Sequence, residues 1–268
     1  MARYQLILAY DGTELEGFQR QGSKRTVQGV VEQALRSLNW DGRALLAAGR
    51  TDSGVHASGQ VIAFDLDWTH TPEELGRALN AALPADVAVK AVRVAREDFH
   101  PRYDALSRTY RYRITCQEER DPLSERYAWR IWPGAEPGLL QAAARELIGT
   151  HDFAAFGSPL RRGGSTIRTV LAASWEQQAG FLQFEITANA FLYRMVRRTV
   201  YLLVRVGQGR LDLATFTQGV QAAQPQTPGL APPNGLSLVR VEYGDKANGN
   251  NNDWLSANAE ARNYEIGE

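Results

Sequence analysis

Strand-like and helix-like stretches follow one another in the same order twice along this chain, and that repetition narrows the fold more than any single residue does. Tyr4 to Tyr10 is rich in Leu, Ile and Tyr and ends at the turn pair Asp11-Gly12. Gly12 to Lys24 is polar and reads as a long loop. Thr26 then caps a helix whose apolar residues, Val27, Val30, Val31, Ala34, Leu35 and Leu38, fall three and four apart. Ala44 to Ala48 and Gln60 to Leu66 read as strands. Thr71-Pro72-Glu73-Glu74 predicts a helix start, with Thr at the cap, Pro at the first position and Glu three residues on. That helix runs to about Leu83 and stops at Pro84, and β-branched Val87 to Val94 follows as a strand. The order is βαββαβ, the ferredoxin-like arrangement.

The second half repeats it. Thr109 to Thr115 alternates, with Tyr110, Tyr112 and Ile114 on one face and Arg111 and Arg113 on the other. Leu139 to Ile148 has helical spacing and ends at Gly149; Val170 to Trp175 and Leu182 to Ala188 read as strands. A long helix is predicted from Phe191 to Val206, another from Leu213 to Ala223 capped by Asp212, and a closing strand from Leu236 to Tyr243. The predicted class is α+β: two ferredoxin-like halves, 1–105 and 106–245, with a mixed, mainly antiparallel sheet. Residues 246–268 are Asn-rich and poor in apolar residues, and read as a flexible tail or a lightly docked appendage with no catalytic part.

Two stretches stand out chemically. The first is AAGRTDSGVHASGQVIAF at 47–64, where strand-like arms flank a stretch dense in Gly, Ser, Thr and Asp. A lone carboxylate, Asp52, two positions after Arg50 on a tight connection is one way to present a single reactive group. The plain alternative is an Asx-turn residue beside a solvated Arg. The second is the predicted helix 191–206, on which Arg194, Arg197, Arg198, Tyr201 and Arg205 share one stripe opposite Leu192, Met195, Val196, Thr199, Leu202, Leu203 and Val206. No acidic residue occurs from Ile186 to Leu211. Like charges four apart repel, so the stripe implies an anionic ligand or a carboxylate supplied from elsewhere; a solvated Arg face is the plain reading.

Composition sets the limits. With 44 % hydrophobic and 22 % charged residues the chain is globular, and no apolar run has the length of a bilayer span. The N-terminal MARYQLILAYDG lacks a signal-peptide cleavage pattern, so a cytoplasmic, non-membrane protein is expected. A single Cys116 excludes a disulfide framework and a Cys-based zinc site, and His56, His70, His100 and His151 show no metal-ligand spacing. No metal site is expected from these residues. The net charge of zero speaks against a nucleic-acid partner, although all basic residues but Lys24, Lys90 and Lys246 are Arg, which suits phosphate contacts as well as it reflects an Arg-rich codon usage.

GRTDSGVHA resembles the signature of the tRNA pseudouridine synthase A family, whose catalytic residue is its Asp. Phe191-Leu192-Tyr193-Arg194-Met195-Val196-Arg197 is similar to the family's FLYHMVR stretch, and Ser107 to Tyr112 to its active-site Tyr segment. Further matching stretches are Tyr10-Asp11-Gly12, Gly17 to Gln21, Thr26-Val27-Gln28, Gly149 to Phe153 and Ala231 to Leu236. Leu15, Phe18 and Arg194 depart from the common residues at their positions. The resemblance implies the pseudouridine synthase fold, with an active-site cleft between the halves. It implies isomerisation of uridine to pseudouridine at positions 38, 39 and 40 of the tRNA anticodon arm, with base flipping and no cofactor. It makes Asp52 the essential carboxylate, Arg197 its ion-pair partner and Tyr110 the residue that stacks on the base. Arg50, Arg161, Arg162 and Arg168, with the helical stripe, are candidate phosphate contacts. The resemblance also implies a homodimer with the tRNA spanning both subunits. A non-catalytic RNA-binding protein and a glycosidase are the rivals; the first needs no lone Asp, and the second usually needs two carboxylates.

Overall fold

The computed structural model describes residues 1–178, 180–224 and 226–244. The chain divides into two compact units, the first formed by Met1–Leu106 together with residues 238–244, the second by Ser107–Ser237.

In the first unit, β1 (Ala2–Tyr10), α1 (Val27–Arg36), β2 (Leu46–Ala47), β3 (His56–Leu66), α2 (Pro72–Ala82) and β4 (Val87–Val94) follow in the expected order. The strands lie β4-β1-β3 with β2 also on β3, all antiparallel, the ferredoxin-like order. Each helix starts where its cap says. Thr26 Oγ1 accepts from the Gly29 amide at 3.2 Å, and the Thr71–Glu74 capping box is complete, with bonds of 2.9 and 3.3 Å. Leu35 from α1 and Leu75 and Leu79 from α2 are fully buried with Leu6, Leu8 and Ile62 of the sheet. Register shifts where β1 passes from Ile7 to Leu8, leaving Lys90 of β4 opposite no residue; Asn80 of α2 docks there, its amide group bonding both N–H and C=O of Val89.

The second unit holds β5 (Ala105–Cys116), β6 (Trp129–Ile131), α3 (Pro137–Glu146), β7 (Gly149–Asp152), β8 (Ile167–Gln178), β9 (Phe181–Ala188), α4 (Met195–Gly207) and α5 (Leu213–Gln221). Its strands lie β5-β9-β8-β7, with β6 parallel on β5 and the other pairs antiparallel. Tyr112, Ile114, Phe153, Phe156, Phe184, Leu202, Leu203 and Phe216 form its core. Helix α4 reaches α3 at Gly207, where a Cβ would come within 2.8 Å of Leu140.

The closing strand β10 (Leu236–Tyr243) completes the second repeat in sequence, yet most of it belongs to the first unit. It lies beside β3 because Gly59 has no side chain: a Cβ there would sit 2.2 Å from the Val239 carbonyl oxygen. Tyr243 fixes its end, donating to the Pro101 carbonyl at 2.8 Å.

Four further differences from the sequence reading have local causes. β2 is two residues long, and β3 starts at His56, before the glycine, because His56 and Ala57 are buried strand residues. Gly149–Asp152 is a strand, not merely a helix stop. α4 starts at Met195 and not Phe191, since Arg194 has φ +62°, which ends any right-handed helix on its N-terminal side. The stretch read as a tail, 246–268, lies outside the described residues. No helix among the described residues is long and apolar enough to cross a membrane.

Candidate active site

Asp52 lies on the connection 48–55 between β2 and β3, half-exposed between buried Thr51 and Val55. Main-chain bonds grip that connection on both sides of the carboxylate. The Ala48 amide donates to Val61 O at 2.9 Å, and buried Gln60 donates through Nε2 to Gly49 O at 3.1 Å. Past Asp52, the Val55 amide closes a turn onto Asp52 O at 3.2 Å, with Gly54 at φ +77° as the turn requires.

The polar loop after β1 forms the other wall of this loop. The Phe18 amide donates to Thr51 O at 3.0 Å, and Leu15 O accepts from the Gly54 amide at 3.2 Å and from Ser53 Oγ at 3.4 Å. Tyr10 OH lies 2.9 Å from Thr51 Oγ1. Burial pushes the Tyr10 phenol up to about 12, and its bonds to Thr51 and Gln60 pull against that. The two backbones come so close that glycine is required: a Cβ on Gly12 would sit 2.1 Å from Val55 O. His56, buried at the start of β3, accepts from the Gly12 amide at 3.0 Å through Nδ1, a structural role. Arg50 is exposed at the edge of the loop. The sequence showed these stretches as Gly-containing loop; their signal as a clamp was the pair Gly12 and Gly17.

In the second unit, Arg197 lies in the first turn of α4 and donates from Nε to the Ala231 carbonyl at 2.8 Å, while the Ala231 amide donates to Arg197 O at 3.2 Å. The segment 231–235 is itself docked. Pro232 O accepts from Tyr112 OH at 2.7 Å, and Asn234 Nδ2 donates to Glu125 O and Ala128 O at 2.6 and 2.9 Å. Gly235 packs on the Tyr112 ring, where a Cβ would approach to 2.6 Å. Burial drives the Tyr112 phenol far above its ordinary range, with the Arg197 charge pulling weakly the other way. Tyr110, two residues before, is half-buried, faces Ile186 across the β5–β9 pair, and meets the Phe191 ring edge-on at 5.0 Å.

The Arg stripe differs from its sequence reading. Arg198 donates from Nε to Ala155 O at 2.6 Å and from Nη2 to Gln226 O at 3.3 Å, and Arg205 donates to Arg210 O. Tyr201 is covered at Gly229, where a Cβ would come within 2.1 Å of its ring. Carbonyl oxygens thus accept from Arg197, Arg198 and Arg205. Arg194 is not on the helix; its guanidinium lies over the exposed Tyr193 ring at 4.8 Å. Arg168 folds onto its own loop, bonding Ser165 O and Ile167 O, whereas Arg161 and Arg162 are exposed. Arg50 and Asp52 thus belong to the first unit, Tyr110 and Arg197 to the second. No three His, Cys, Asp or Glu side chains gather as a metal would require among the described residues.

The family model described as tRNA pseudouridine synthase matches residues 6–104 and 143–244. A tRNA pseudouridine synthase A of Streptococcus equi subsp. equi is 38 % identical over 247 residues, covering 91 % of this chain and 99 % of that one. Those of Geobacillus kaustophilus and Roseiflexus sp. are 39 and 40 % identical, covering 91 and 93 % of this chain and 95 and 93 % of theirs. The chain therefore belongs to the tRNA pseudouridine synthase family.

Proposed function

We propose that this chain isomerises uridine to pseudouridine at positions 38, 39 and 40 in the anticodon arm of tRNA, with Asp52 as the essential carboxylate. Membership of the family makes it a pseudouridine-forming isomerase acting on tRNA. The observation that carries the residue-level reading is the Asp52 connection: a half-exposed carboxylate whose neighbours Thr51 and Val55 are buried and bonded.

The N-glycosidic bond breaks, the uracil turns, C5 bonds the same ribose carbon, and the C5 proton leaves; nothing is oxidised and no group is donated. Asp52 either adds to the ribose carbon or removes a ribose proton, and one carboxylate serves both schemes. In this reading Arg197 is the charge partner that keeps Asp52 ionised. The Tyr110 ring stacks on the base and its hydroxyl assists departure of the C5 proton. The target base leaves its stem at a cost of a few kcal/mol, offset by phosphate contacts from exposed Arg50, Arg161 and Arg162. Two copies of the chain bind one tRNA between them, which lets a chain of zero net charge hold RNA in a shared basic cleft.

The test follows tritium release from C5 of uracil in unmodified tRNA transcripts, by the wild type and by Asp52→Asn, with the modified positions mapped. Release by the wild type alone, at positions 38 to 40, supports the proposal. Equal release by both removes Asp52 from its role, and tight tRNA binding without release by either leaves a binding protein.

A further inference from the structure

Glu32 is a carboxylate with none of its side chain exposed, on the face by which α1 packs into the core. Its Oε2 accepts from Arg20 Nη1 at 2.6 Å and lies 3.6 Å from Arg36 Nη2. Its Oε1 accepts from Gln28 Nε2 at 2.8 Å and from the Leu45 amide at 3.3 Å. Gln28 Oε1 in turn accepts from the Arg20 amide at 3.1 Å. The two guanidinium side chains are 46 and 49 % exposed. One buried negative charge therefore holds two positive charges at the surface, and all the charge that faces solvent is positive.

Stability alone does not explain this arrangement. Desolvating a carboxylate offsets most of what its ion pairs return, and an apolar residue at a buried helix position avoids that cost. What the network does supply is aim. Arg20 lies two residues beyond Phe18, whose amide bonds Thr51 O and whose carbonyl accepts from the Gln28 amide at 2.9 Å. Two residues span at most about 7 Å, so Arg20 is held beside the Asp52 connection by the same helix turn that holds Phe18. Glu32 engages the guanidinium through Nη1, and the side chain stays 46 % exposed; a guanidinium carries five donors, so donors remain for a phosphate.

We propose that Arg20 is a contact for a phosphate of the RNA strand that carries the target uridine, and that Glu32 is the positioning residue that aims it. This rests on the tRNA reading above. The experiment measures kcat, KM and the salt dependence of kcat/KM with tRNA transcripts for the full chain and for Arg20→Ala, Glu32→Gln and the double variant. Gln at 32 keeps the two bonds at Oε1 but turns an amide donor toward Arg20, so it breaks the aim and spares the helix. Arg20→Ala is expected to raise KM about three- to tenfold with kcat unchanged, and to reduce the log–log salt slope by about 0.7 to 0.9. Glu32→Gln raises KM in the same direction, and the double variant matches Arg20→Ala alone. Because Arg20 is at the surface, its variant remains informative even where Glu32→Gln lowers the thermal midpoint. An unchanged KM and slope in Arg20→Ala would overturn the proposal while wild-type turnover stands. So would additive effects in the double variant, which would make Glu32 a structural staple. Absence of wild-type turnover overturns the tRNA reading, and this inference with it.

Discussion

The phenol oxygen of Tyr10 lies 2.9 Å from Oγ1 of Thr51, tying the last residue of β1 to the residue before Asp52. Tyr10→Phe removes that bond and strands a buried hydroxyl, which costs about 1–2 kcal/mol. The pH dependence has a definite sign. Burial pushes the folded phenol up to about 12, above the ordinary 10.0 that it has in the unfolded chain, so between these the folded state keeps the extra proton. Stability is intact below pH 10 and falls as pH rises toward 12, by on the order of 2–3 kcal/mol from this group. Burial of Tyr112 adds a loss in the same direction. Denaturant titrations from pH 8 to 11.5 check this: Tyr10→Phe starts lower and declines less steeply than the wild type.

Gly17 faces the Asp52 connection with φ +81°, and a Cβ there would come within 2.9 Å of Thr51 O and 3.2 Å of Ser53 N. Both neighbours are backbone and have no rotamer to change. Gly17→Ala combines left-handed strain of roughly 1–2 kcal/mol with displacement of the loop that carries Asp52. Turnover is expected to fall about 10²-fold, the scale of a 1 Å misplacement. Gly22→Ala is the control: φ is +50° but nothing lies within 4 Å, so it lowers the melting temperature without changing turnover. Equal loss of turnover in both would show that backbone strain, not loop position, matters.

The helix starts illustrate what the chain announces in advance. Thr71-Pro72-Glu73-Glu74 carries its own cap, donors and acceptors within four residues, so α2 begins where it is read. α4 begins four residues later than its apolar period predicts, because the period continues through Phe191 and Leu192 while Arg194 takes a left-handed backbone that no Arg advertises. The basic stripe is a similar case. Its partners include the carbonyls of Ala155, Gln226 and Ala231, far away in sequence and carried by every residue type. The Asp52 connection was legible as a turn from its own residues, and as a candidate reactive site only through the resemblance. Its clamp by Leu15 and Phe18 is made of main-chain bonds and left only glycines as a trace.

Arg197→Lys separates charge from geometry. Lysine keeps a cation on the first turn of α4 but lacks the planar fork, and so loses the 2.8 Å bond to Ala231 O. The docking of 231–235 through Pro232, Asn234 and Gly235 persists. The expected loss of stability is about 1 kcal/mol, whereas kcat falls roughly 10²-fold or more if Arg197 holds Asp52 in its reactive geometry. A large fall in melting temperature with little change in kcat would make Arg197 an anchor for the 231–235 segment alone.

Tyr110 and Tyr112 lie on the same face of β5, yet Tyr112 is fully buried with its hydroxyl committed to Pro232 O, and Tyr110 is half-buried. Of the two, only Tyr110 is partly exposed. Tyr110→Phe keeps the edge-on contact with Phe191 at 5.0 Å and removes the oxygen. If that hydroxyl assists removal of the C5 proton, tritium release slows by about 10²–10⁴, the usual worth of a positioned acid or base, with tRNA affinity unchanged. Tyr110→Ala also removes the ring and weakens tRNA binding, by about 1–3 kcal/mol for a lost stacking platform. Measuring Kd and release rate for both variants distinguishes the two roles. Wild-type release by Tyr110→Phe, with binding lost only in Tyr110→Ala, would leave Tyr110 as a stacking residue and send the C5 proton elsewhere.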